Sequence, residues 1–126
     1  MSLRIVIHAG ELRLHAELYE NETARAILDA LPIEGRANRW GDEVYFSIPV
    51  QLDLMSDARD QMQVGELAFW PPGNAFCIFW GATPASEGSE PRAASKVNPF
   101  GKIEGDARVL GAVRSGERVS VTRHES

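Results

Sequence analysis

Gly65–Gly81 reads GELAFWPPGNAFCIFWG. Two strongly apolar runs, Leu67–Trp70 and Phe76–Trp80, flank Pro71-Pro72-Gly73-Asn74. Proline presets φ, and glycine and asparagine accept the left-handed region, so the tetrapeptide reads as a tight turn and the runs as the strands of a hairpin. A sheet with one wet face alternates apolar and polar residues. These strands are apolar on both faces, so the hairpin belongs in a closed barrel or beneath a cover. The density of rings also points to a groove, with some of Trp70, Phe79 and Trp80 facing it.

Working outward toward the start of the chain, Glu43–Ile48 reads as a strand with Val44, Phe46 and Ile48 on one face and Tyr45 and Ser47 on the other. Arg36–Asp42 is polar and turn-like. Before it, Asn21 caps a helix whose stripe is Ala24, Ile27, Leu28 and Leu31, stopped by Pro32 and Gly35. Leu3–His8 and Glu11–Leu18 alternate around Ala9-Gly10 and form a second hairpin, which sets His8 near Glu11 and His15 near Arg4.

Toward the end of the chain the signals are weaker. Gln51–Val64 carries Asp53, Asp57 and Asp60 at the spacing of one helical face, without a clear apolar stripe. Ala82–Pro99 is rich in Ala, Ser, Pro and Gly and reads as a long loop, a feature often tied to function. Phe100–Ile103, a short helix or turn over Asp106–Val113 and a last strand at Arg118–Thr122 complete the chain.

The 126 residues predict one domain spanning 1–126. A net charge of −5, with no run of Lys or Arg, excludes a nucleic-acid partner, which needs a basic face to displace counterions. No apolar run approaches the ~20 residues of a membrane span. Met1–Arg4 leads straight into an alternating strand, so no leader is read and a cytoplasmic protein is expected. Cys77 is the only cysteine and reads as a buried small hydrophobe. His8 and His15 do not converge, His124 falls in a frayed tail, and Arg59 lies among the three aspartates, so neither metal nor cofactor is expected. Gly101–Gly105 lacks the Lys-Ser/Thr of a phosphate loop. Arg36 and Arg39, beside Trp40, form a lesser candidate for an anionic ligand.

Three places carry a resemblance to a known family. The first is Glu17–Asn21, followed by Thr23-Ala24, Ile27 and Leu31; the second is Gly65–Ala68, leading to Phe76-Cys77-Ile78; the third is Phe100-Gly101-Lys102-Ile103 with Gly105, Leu110, Val113, Gly116, Val119 and Val121. In this order they resemble the cyclophilins. Gly41–Phe46, Trp70–Asn74 and Phe79–Pro84 narrow the likeness to the small uncharacterised bacterial and archaeal cyclophilin-like proteins. The resemblance implies a mainly β fold, a closed eight-stranded antiparallel barrel capped by one or two helices. It also implies a ligand face near Phe46, Trp70, Pro71 and one of Phe76 or Phe79, with Thr83 and Asn98 as polar contacts from the flanking loop.

The departure lies in the chemistry. Cyclophilins that isomerise X-Pro bonds carry a catalytic arginine within Phe-His-Arg-Ile-Ile-Pro-Gly, followed by Phe-Met-x-Gln. Aligning Ile48-Pro49 with the end of that strand puts Phe46 at the arginine position, and Val50–Asp53 follows instead of Phe-Met-x-Gln. Losing one preorganised donor costs about 10²–10³ in rate. The expectation is therefore a protein that binds a small molecule or short peptide in an aromatic groove without efficient isomerase chemistry. The alternatives are an isomerase using Arg36, Arg39 or Arg59 from elsewhere, and an interaction module, a homodimer burying Trp70 and Trp80.

Overall fold

The structure is a computed structural model and describes Leu3–His124. Its elements run β1 (Arg4–Ala9), β2 (Leu12–Leu18), α1 (Glu22–Ala30), β3 (Ile33–Arg36), β4 (Asn38–Arg39), β5 (Glu43–Ser47), β6 (Arg59–Gln61), β7 (Glu66–Trp70), β8 (Ala75–Phe79), β9 (Arg92–Ile103) and β10 (Arg118–Arg123). Short 3₁₀ segments occupy Pro71–Gly73 and Ala107–Ala112. None of the helices among the described residues is long and apolar enough to cross a membrane.

The fold is mainly β and antiparallel, as expected. Its ladder runs β3-β10-β1-β2-β9-β7-β8-β5-β4, with β6 pairing β9 alongside. The expected ring of eight strands takes a different form: ten strands lie among the described residues, and the path joins no ladder between its ends. The reason is local. Those ends, β3 and β4, are consecutive pieces of chain parted by Ala37 alone, β3 pairing β10 and β4 pairing β5. Ala37 bonds instead to the turn before β10, its N–H donating to Glu117 O at 2.8 Å and its carbonyl accepting from Gly116 N at 2.8 Å.

Side chains of one pleat face make the main core. Ile5, Ile7, Val44, Phe46, Leu67, Phe69, Phe76 and Ile78 join Ala24, Ile27 and Leu28 of α1 in a single buried cluster. The helix is held as its sequence implies: Asn21 Oδ1 accepts from Ala24 N at 2.8 Å, and its amide donates to Pro99 O at 3.0 Å. The opposite pleat face of the hairpin forms a second cluster, with Ala68, Ala75, Cys77 and Phe79 beneath Met62, Ala93 and Val97. The doubly apolar hairpin thus lies between core and cover.

Several expectations are corrected. Arg36–Asp42 is not a simple turn, since β3 and β4 pass through it. Nearly half of the Ala82–Pro99 loop is strand, because Arg92–Pro99 belongs to β9. Its Ala-Ser-Lys text has little strand propensity, and distant partners impose the conformation: Arg92 opposite Gln61, Val97 opposite Arg59, Asn98 opposite Phe69. Pro99 fits because it sits where the β7–β9 register shifts, a place that tolerates a missing N–H. Asp53, Asp57 and Asp60 share no helical face; that segment is irregular except for β6. Across the first hairpin His8 faces Arg13 rather than Glu11, and His15 faces Val6 with Arg4 on the diagonal. His124 is not frayed. Its N–H donates to Arg4 O at 3.0 Å, and its ring meets that of His15 edge-on at 5.1 Å.

Candidate functional site

Between the outer face of the β5–β8–β7 sheet and the first half of β9 lies a cavity of about 200 Å³. Trp40, Tyr45 and Trp70 form its aromatic walls. Glu43 and Cys77 lie on its sheet side, and Ala93, Ala94 and Val97 of β9 face them. A larger and more open groove of about 740 Å³ lies beyond Trp70, lined by Gln51–Leu54, Pro71, Pro72 and Lys96 among others.

Elementary periodicity builds the sheet side. With Val44 and Phe46 in the core, Glu43 and Tyr45 must point the other way. The register sets Tyr45 opposite Cys77, and Cys77 opposite Ala68 of β7, so the three stand side by side across the sheet. Trp40 is carried over by a turn in which its N–H donates to Glu43 O at 3.0 Å. Only glycine fits that turn: Gly41 has φ of +62°, and a Cβ there would lie 2.8 Å from Thr83 Cα. Trp70 Nε1 donates to Ser95 Oγ at 2.8 Å, which pins the indole to β9.

Glu43 sets the electrostatics. Its residue is 5% exposed, and no cation lies beside its carboxyl among the described residues. Burial pushes the carboxyl up to about 7, while the Cys77 thiol pulls weakly the other way. The thiol itself is pushed well up, first by burial and then by the neighbouring carboxylate, so it stays protonated and poorly nucleophilic.

The sequence-predicted site residues scatter. Trp70 walls the cavity and Pro71 lines the adjoining groove. Phe46 is fully buried on the core side, stacked on Phe76 at 5.0 Å. Phe79 is fully buried in the second cluster, opposite Glu43 in the ladder and packed with the lining residues Cys77, Ala93 and Val97, but it does not itself line the cavity. Thr83 closes a turn, its Oγ1 donating to Arg92 O and accepting from Ala85 N at 3.2 Å. Asn98 is fully buried and clamps the segment before β6, accepting from Met55 N and donating to Asp53 O, both at 2.9 Å. Sequence reasoning did not single out Glu43, Tyr45 or Trp40 for the site. An acidic residue in phase with the outward face of a strand whose own hairpin partner is apolar on both faces was the available signal for Glu43.

The three arginines considered as substitutes are engaged elsewhere. Arg36 donates to Gly116 O at 3.1 Å. Arg39 donates to Gly111 O at 3.1 Å and Val113 O at 2.9 Å, with its guanidinium 5.0 Å from the centroid of Trp80. The two therefore serve separate carbonyls rather than one anion. Arg59 grips the buried Glu66, with Nη1 2.8 Å from Oε1 and Nη2 2.5 Å from Oε2. Tyr19 Oη and Gln63 N also donate to that carboxylate, at 2.8 and 2.9 Å.

This second carboxylate is the counterpart of Glu43. Burial pushes Glu66 up, but Arg59, Gln63 and Tyr19 together hold it below its ordinary value. Its contribution to stability is present above the ordinary carboxylate range and is lost as pH falls through the lowered value. Arg59→Ala should cost about 2 kcal/mol, less than a fully buried pair because the arginine is partly exposed. Urea titration near neutral pH reads this loss, and the difference from the parent protein should shrink in acid.

The comparisons with known proteins agree with this architecture. The family model described as Cyclophilin-like matches residues 1–122. The solution structure of the hypothetical protein AF2241 from Archaeoglobus fulgidus is similar, with 41% identity and a TM-score of 0.82. The match covers 98% of this chain and 95% of that one. Comparison with curated proteins found no match.

Proposed function

Since this chain belongs to the cyclophilin-like family, we propose that it binds a small molecule or short peptide in the cavity walled by Trp40, Tyr45 and Trp70, without efficient prolyl isomerase chemistry. The observation that carries the binding reading is the cavity itself: about 200 Å³, three aromatic rings and one buried acid. A concave, mostly apolar site with a few convergent polar groups is the usual form of a ligand pocket. The neighbour from Archaeoglobus fulgidus is titled hypothetical and brings no ligand with it.

The chemistry favours binding over isomerisation. Twisting an X-Pro amide crosses a barrier of ~18–20 kcal/mol, and a placed donor or cation lowers it. The outward residues of β5 are Glu43, Tyr45 and Ser47, none a cation, and Arg36, Arg39 and Arg59 are held by other partners. The interaction-module reading is less favoured because Trp80 is 5% exposed, already covered within its own chain.

Two measurements test the proposal. Trp70 is half-buried at the cavity edge, so Trp70→Ala should weaken ligands found in a fragment screen at least ~10-fold while lowering stability by no more than about 1–2 kcal/mol. Unchanged affinity would remove Trp70 from the site. Second, NMR exchange on a short X-Pro peptide should show no sub-second cis–trans cross-peaks, because uncatalysed exchange takes tens to hundreds of seconds. Such cross-peaks would overturn the non-isomerase reading.

A further inference from the structure

Building on the reading that this cavity is the ligand site, we infer that its occupant is a small organic ammonium ion, its charge paired with Glu43 and its body enclosed by Trp40, Tyr45 and Trp70. Two features meet here. Aromatic faces attract a cation through their quadrupole, and a carboxylate at the same site adds a direct counter-charge. Glu43 is the group that calls for such a partner: its residue is 5% exposed, and no arginine, lysine or histidine reaches its carboxyl among the described residues. Buried charges in folded proteins are ordinarily paired, and this one is unpaired only toward the cavity.

The surroundings supply no internal substitute. Cys77 on β8 and Tyr45 on β5 are the titratable groups sharing the cavity with Glu43. Arg39, in the strand leading to the same turn, points its guanidinium to the carbonyls of Gly41, Gly111 and Val113, with Asp42 at 3.7 Å. On β9, Arg92 pairs with Asp60 and Glu90, both at 3.1 Å, and Lys96 belongs to the adjoining groove. Hard metal cations are a poor fit, since they take several oxygen ligands and the cavity offers one carboxylate among rings and methyl groups. An organic ammonium ion matches both surfaces at once, charge against Glu43 and carbon against the indoles. The volume, about 200 Å³, suits a compact alkyl or aryl amine.

Calorimetry on the whole protein with benzylammonium and its neutral near-isostere benzyl alcohol tests this. Benzylammonium should bind at least ~10-fold tighter than the alcohol at about pH 8. Its affinity should fall about tenfold by about pH 6, because the carboxyl that must be ionised titrates at about 7. Glu43→Gln, close in shape and uncharged, should erase the preference and the pH dependence while keeping the alcohol bound. Equal affinities for the two probes, or a preference that survives in Glu43→Gln, overturn the ammonium assignment and leave the binding cavity standing. Binding of neither probe overturns both. The comparison of the two probes on the unmodified protein stands independently of the variant, since equal affinities there by themselves overturn the pairing with Glu43.

Discussion

Phe46→Ala should lower the free energy of unfolding by about 3–5 kcal/mol. Phe46 is fully buried, stacks on Phe76 at 5.0 Å, and Phe76 in turn meets Phe100 edge-on at 5.0 Å. The packing extends to the facing strand. A Cβ on Gly35 would come within 2.8 Å of the Phe46 ring, so the ring occupies the space that glycine leaves. Truncation removes the ring from both Phe76 and Gly35, and strands paired on both sides collapse poorly into the void. For a chain of this length the loss corresponds to a fall in Tm of roughly 10–20 °C, readable by thermal or urea unfolding. Ligand affinity measured on the remaining folded fraction should change little. A variant of near-normal stability that had lost ligand affinity would put Phe46 in the binding site after all.

Glu43→Gln should act in the opposite direction, raising stability by up to about 3 kcal/mol at about pH 8 and by almost nothing below about pH 4. The sign follows from the raised carboxyl, about 7 in the folded chain against 4.5 ordinarily. Between those values the folded protein keeps a proton that the unfolded chain has released. Wild-type stability therefore falls as pH rises through this window, and the full deficit persists above it. Glutamine removes the ionisation and with it the deficit. Urea midpoints of the two proteins across pH 4–8 read the effect, and parallel curves would show that the carboxyl is not strained by burial.

The two buried carboxylates bring out the difference between legible and illegible information. Glu66 and Glu43 are each the first residue of a strand and each is buried. Their fates differ because Arg59 and the Gln63 N–H, just upstream, and Tyr19, from a distant segment, converge on Glu66, whereas only rings, a thiol and aliphatic side chains face Glu43. Trp70 was legible as a partly uncovered ring, because a bulky ring beside a Pro-Pro-Gly turn has one side that a hairpin cannot cover, and it walls the cavity. Thr83 and Asn98 read as polar contacts for a ligand, yet their hydrogen-bonding groups are taken up by Arg92, Met55 and Asp53.

What the chain determined by itself is what period and local stereochemistry control. These are the two hairpins with their turn residues, the Asn21-capped helix, the inward and outward faces of β5, and the prediction that Gly65–Gly81 needs cover on both sides. Tertiary structure decided the rest. It turned Arg92–Pro99 into a strand through pairing with β6 and β7, kept the β3–β4 junction from closing the ladder at Ala37, and laid β9 over the hairpin to enclose Glu43. The physical reason is common to all three. Side-chain alternation is a property of neighbours in sequence, while strand pairing, burial and the shift of a carboxyl depend on which groups the fold brings together, and no alternation pattern encodes that.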